Sequence, residues 1–146
     1  MRNEPERWML RSVREAAWAP LLVLGAVGVA AAGLDLYTRW PWLDMPTHFV
    51  GGIAVTYFFW RAGAHAPWFA RRHANAGRAL VALAGTASMA LLWEAFEFVA
   101  DRFLGGHMQH GLMDTAADII LGLAGGVAYL ALRSWFTAQT ERPGSD

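Results

Sequence analysis

Four acids set within two apolar helical patterns constrain this chain more than any other feature. Trp93 to Gly126 reads WEAFEFVADRFLGGHMQHGLMDTAADIILGLAGG. Glu94 and Glu97 stand late in the first pattern, and Asp114 and Asp118 early in the second. Spacings of three and four place each pair on one face of its helix. The turn between the patterns brings both faces to the same end of the molecule. An ionisable side chain at the centre of a spanning helix costs about 3 kcal/mol. Four of them together require partners.

The rest of the chain is unusually apolar. Hydrophobic residues make up 55% and charged residues 16%, and the formal net charge is zero. That balance suits a multi-pass membrane protein rather than a soluble domain, and 146 residues allow one domain over 1–146. Zero net charge argues against nucleic acid as a partner. Cysteine is absent, which removes disulfides, thiolate catalysis and cysteine metal sites. No G-x-S-x-G or Walker pattern occurs, so serine hydrolase and nucleotide hydrolase readings fall away.

The expected fold is all-α: an integral membrane four-helix bundle with a short amphipathic N-terminal segment. Met1 to Glu15 mixes arginines with glutamates and reads as a lead-in at the membrane surface, with Trp8 and Trp18 as interface anchors. The first apolar run follows this charged leader and lacks an A-x-A exit, so it reads as a span rather than a cleavable signal. Spans are expected over 17–36, 46–60, 79–100 and 112–132, each close to the ~20 residues that cross a hydrocarbon core, the second being short. Small-residue faces at Gly25 and Gly28, at Gly51 and Gly52, and at Gly122, Gly125 and Gly126 suit close helix contacts. Trp40, Trp42 and Trp68 read as further interface anchors. Asp44 is expected to be an N-cap, with Pro46 in the first turn behind it.

All twelve basic residues are arginine, and their distribution sets an orientation. They crowd the N-terminus and the loop from Arg61 to Arg78, which also holds Arg71, Arg72, His65 and His73 and has no acid. The other two loops carry one arginine each, Arg39 and Arg102. The positive-inside rule then predicts an inner-membrane protein with both termini cytoplasmic. Asp44, His48, Glu94, Glu97, His107, His110, Asp114 and Asp118 all fall toward the outer face in this arrangement.

Asp44, His48, Glu94, Glu97, Asp114 and Asp118 form a ligand set of five carboxylates and one imidazole. Such a set suits zinc, manganese or iron, or with added water calcium or magnesium, so a divalent metal is the expected cofactor, its identity open. Helix-borne carboxylates and histidines build di-metal sites in soluble bundles, although the Glu-x-x-His pairing used there is missing here. A structural reading accounts for the same residues. Asp44 and Asp114 lie near helix starts, where carboxylates cap amides, and His48 can hydrogen-bond a carboxylate across helices. His107 and His110 sit in a glycine-flanked loop and are expected to be surface residues; His65 and His73 are expected to meet lipid head groups.

Asp44-x-x-x-His48-Phe49, then Glu94-x-x-Glu97-Phe98, then Gly111-x-x-Asp114-Thr115-x-x-Asp118-Ile119 and a glycine-rich closing helix resemble the YjdF-like family, small multi-pass membrane proteins of unknown function. The pattern is similar, more distantly, to VanZ-like proteins. The resemblance covers roughly Leu43 to Leu130. Met45 departs from the basic residue expected after the aspartate, which weakens any phosphate-contacting role there. The resemblance implies a polar membrane site and supplies no reaction.

Three classes of function follow. One is a membrane-embedded metal-binding protein acting on a lipid or envelope substrate. Another is a non-catalytic accessory or scaffold subunit, meeting partner membrane subunits or further copies through its small-residue faces. The third is a proton or ion relay through the acids, for which four spans without an internal repeat are few.

Overall fold

The computed structural model describes residues 4–66, 74–106 and 108–141, and among these there is helix and turn but no strand. Trp68, Arg71, Arg72, His73 and His107 lie outside the described residues. The helices are α1 (Glu4–Ala16), α2 (Trp18–Gly28), the single turn α3 (Leu36–Arg39), α4 (Asp44–His65), α5 (Ala74–Leu104) and α6 (Leu112–Thr140).

The chain breaks at Ala17, where the expected first span begins, and from there runs as one helix over Trp18–Gly33. α1 and the helix after it meet at 50°, and Pro20 supplies the reason. Its ring clashes with the carbonyl four residues back, at Ala16, and it has no N–H to donate there. Pro20 is tolerated as the third residue of α2, where that N–H would lack a helical partner anyway. The far end of α2 widens into a π-helical turn, Val29–Gly33, closed by the Leu34 amide donating to the Val29 carbonyl at 3.0 Å. Asp35 then turns the chain with φ 50°, a left-handed conformation that aspartate adopts more readily than most residues.

By length and composition, α5 and α6 are each able to cross a membrane, and the bent α1–α2 pair would make a third. α4 does not pass that test, because Asp44, His48, Arg61 and His65 lower its hydropathy. It is nevertheless 22 residues long, extending well beyond the expected 46–60, and would measure about 33 Å. Its C-terminal charges have a partner on α1. Glu15 accepts a hydrogen bond from Arg61 Nη2 at 2.9 Å and lies 2.9 Å from His65 Nε2.

α4 is the middle of the fold, packed against α6 and α5 and touching α1 and α2. It runs parallel to α6, with Gly52 against Gly122 and Thr56 against Gly126. A methyl group on Gly52 would strike the Gly122 carbonyl, and one on Gly125 would strike the Phe49 carbonyl. Only bare glycine backbone permits this approach. α5 is held by a buried hydroxyl pair, Thr56 Oγ1 to Thr86 Oγ1 at 2.6 Å, while Thr86 also donates to the Ala82 carbonyl at 2.9 Å.

At the arginine end, buried Trp60 has the guanidinium carbons of Arg78 and Arg133 4.2 Å and 4.3 Å from its ring centre. Arg78 also donates to the Trp60 carbonyl at 2.8 Å. These cation–π contacts join α4, α5 and α6 where the chain has most positive charge.

The exposure pattern is inverted relative to a soluble protein. The buried apolar residues are Ala16, Ala54, Trp60, Ala62, Ala66, Ala82 and Ala100. Leu21, Leu22, Leu91, Leu92, Phe103, Ile120 and Phe136 are all more than half exposed. A surface this apolar needs a bilayer or a partner to cover it.

Candidate metal centre

The site is built where α4 and α6 begin. Asp44 and His48 are one turn apart on α4 and share a face, with His48 Nε2 3.3 Å from Asp44 Oδ1. The glycine contact further along brings α6 close enough for Asp118 to join them, its Oδ1 3.8 Å from the same nitrogen. One ligand atom from each of Asp44, His48 and Asp118 lies within 4.8 Å of the others. Asp118 is 2% exposed, and its second oxygen, Oδ2, is buried without a hydrogen-bond partner among the described residues. Asp44 is partly exposed, whereas His48 and Asp118 are nearly enclosed.

Asp44 is not the N-cap that its position suggested. Pro41 starts a 3-10 turn, Pro41–Leu43, that runs straight into α4, so the backbone is already helical at Leu43 and no side chain caps it. That leaves the Asp44 carboxylate available to His48.

Glu94 and Glu97 are both 5% exposed on α5 but stand outside this trio. Glu97 Oε1 accepts a hydrogen bond from Trp93 Nε1 at 2.8 Å, and Glu97 lies within electrostatic range of Glu94, Asp44 and His48. Both Glu94 oxygens are buried without a hydrogen-bond partner among the described residues. Asp114 also stands apart. Its Oδ2 accepts the His110 amide at 3.1 Å and lies 3.5 Å from His110 Nδ1. It therefore serves the start of α6, as the structural reading of the sequence allowed.

Residues 6–139 match a family described as predicted membrane protein (DUF2238). The chain belongs to that family. The match supports a membrane protein of unknown function, as expected, and does not carry the YjdF-like or VanZ-like names. No curated protein and no solved structure matches this DUF2238 chain.

Sequence reasoning missed what orders the α5–α6 connection of this DUF2238 protein. Asp101 holds the described residues Met108 and Gln109 by their amides. Asp101 Oδ1 and Oδ2 accept the Met108 amide at 2.9 Å and 3.0 Å, and Oδ2 accepts the Gln109 amide at 2.8 Å. Gln109 Nε2 donates to Thr115 Oγ1 at 3.1 Å, tying the loop to α6. An acid just before a glycine pair was the available signal. Asp101→Ala is expected to cost about 2 kcal/mol by leaving these amides without acceptors. Limited proteolysis should then cut between Gly105 and Gly111 in the variant and spare the wild type.

Proposed function

We propose that this protein is a multi-pass inner-membrane metal-binding protein whose outward-facing Asp/Glu/His cluster acts on a lipid or envelope substrate. In this reading α4 crosses the membrane with the others, its polar residues shielded by α1, α2, α5 and α6, which completes a four-span bundle. The observation that carries the reading is Asp118, an almost fully buried carboxylate beside His48 with one oxygen that has no hydrogen-bond partner among the described residues. A buried charge of that kind requires compensation, and a cation held by Asp44, His48 and Asp118 would supply it. Two carboxylates and an imidazole leave coordination positions open for water or substrate, as catalytic metal sites do. Zinc, manganese and iron fit this donor set. Glu97 lies within electrostatic range of Asp44 and His48, and Glu94 of Asp118, so either would serve as general acid or base.

The test is elemental analysis of protein purified without chelators. About one metal per chain is expected, falling to background in His48→Ala while the variant stays folded. A metal-free wild type that is indifferent to chelator would overturn the reading.

Orientation is tested separately. A cysteine introduced at Gly106 should react with a membrane-impermeant thiol reagent from outside, and one introduced at Ala74 should not. The reverse result would place the arginine-rich end outside.

A non-catalytic scaffold is the second reading, and α2 favours it. Gly25 and Gly28 have nothing within 4 Å of where a side chain would begin, so this small-residue face packs on none of the described residues. It would then meet a partner membrane subunit or a second copy. A clean monomer by native mass spectrometry would count against it.

A further inference from the structure

A cavity of about 310 Å³ lies along α4, walled by α2 on one side and α5 on the other, with Gly122 of α6 at its back. It extends from Thr47 and His48 to Val55, about 12 Å along the helix axis. Its lining is apolar in effect as well as composition. Thr47 Oγ1 donates to the Leu43 carbonyl at 2.7 Å and bonds the Tyr37 hydroxyl at 2.9 Å. Thr86 is committed to Thr56 and Ala82, and the Trp93 N–H to Glu97. The exception is His48, which belongs both to this wall and to the Asp44–His48–Asp118 trio.

We propose that this cavity seats the single apolar chain of an acyl or prenyl amphiphile whose anionic head lies at the trio. The inference rests on the metal-site reading for the head and on the cavity alone for the chain. The volume is at the small end of ligand sites, enough for one slender chain and too little for the two chains of a phospholipid. Apart from His48, its walls offer no free polar group that would favour water. Hydrophobicity cannot draw a chain in, because the surrounding lipid is equally apolar. Selection must therefore come from shape along the cavity and from recognition of the head at one end. A bare pair of carboxylates would repel a carboxylate or phosphate head, whereas a cation bound between them would attract it.

Gly51 lines the cavity, and the first carbon of a side chain there would meet nothing within 4 Å. Gly51→Phe therefore places a ring in the cavity, and the metal content of the variant reports whether the trio, whose His48 lies one turn away, is intact. The probe is palmitate carrying a diazirine near its end, photolysed with the metal-loaded protein in nanodiscs. Adducts are expected at Val23, Val27, Met89 and Ala90. Labelling should be competed away by unlabelled palmitate and fall about tenfold in Gly51→Phe. If that variant does not fold, Ala90→Leu fills the cavity from the opposite wall, and competition on the wild type needs no variant.

Adducts spread over the outward residues Leu22, Leu91 and Leu92, with no saturation and no response to filling, would mean ordinary boundary lipid and would overturn the proposal. Equal labelling by a diazirine-bearing diacyl phosphatidylglycerol would overturn the single-chain assignment. Metal content is measured on the same samples. Stoichiometric metal with spread labelling removes the chain seat and leaves the metal site standing. Saturable labelling without metal does the opposite.

Discussion

Gly52→Ala is expected to lower stability by about 3 kcal/mol, while Gly51→Ala beside it should be neutral or raise stability by up to about 1 kcal/mol. The two residues are neighbours in sequence, share a helix and differ only in what they face. A methyl on Gly52 enters the Gly122 backbone, where the atoms cannot rotate away, and the only relief is to separate α4 from α6. A methyl on Gly51 meets open space, and alanine is the better helix former. Thermal unfolding in one detergent reads both. The metal site supplies a second readout. Moving α6 outward also moves Asp118 away from His48, so Gly52→Ala should lose metal without a change to any ligand. Equal behaviour of the two variants would mean that α4 and α6 are not in glycine contact.

Of the small-residue faces that the sequence predicts, Gly52 meets Gly122, and Gly125 and Gly126 meet Phe49 and Thr56 of the same helix, whereas Gly51, Gly25 and Gly28 meet nothing among the described residues. Composition alone does not distinguish these cases, because a close-approach surface looks the same whether its partner is in the chain or outside it. The break before α2 was legible in principle, since Pro20 and the Ala16 carbonyl are a local conflict. The true length of α4 was not. Arg61 and His65 end the apolar pattern, and Glu15 of a distant helix, which pairs with both, makes it favourable to continue through them.

The candidate site shows the same division. Asp44 and His48 follow from their spacing on one helix, but Asp118 reaches them because α4 and α6 run parallel with their glycines in contact. Glu94 and Glu97 have the same face-sharing pattern as the other pairs. Their register is set by the Thr86–Thr56 bond and the Trp93 indole, neither of which periodicity reveals. The inner side of α5 is therefore acidic without contributing to the trio.

Asp118→Asn is expected to abolish metal-dependent stabilisation while making the metal-free protein no weaker. For the wild type, free metal at a hundred times its dissociation constant should add about 2.7 kcal/mol, which a chelator removes. The asparagine variant has lost an anionic ligand, so its melting temperature should be the same with and without chelator. Its metal-free form should equal or exceed the metal-free wild type, because a partnerless carboxylate oxygen has become an amide able to donate toward Asp44. The melting curves of the two proteins should therefore exchange order when metal is removed. Glu97→Gln provides the contrast. Glutamine keeps an oxygen to accept the Trp93 N–H, and Glu97 stands outside the trio, so metal content and the chelator response should be retained. If Glu97→Gln loses the metal and Asp118→Asn keeps it, the centre lies on α5 instead. If neither protein responds to chelator in any form, the acids are a packing arrangement, and removing one charge should then raise the melting temperature of both variants.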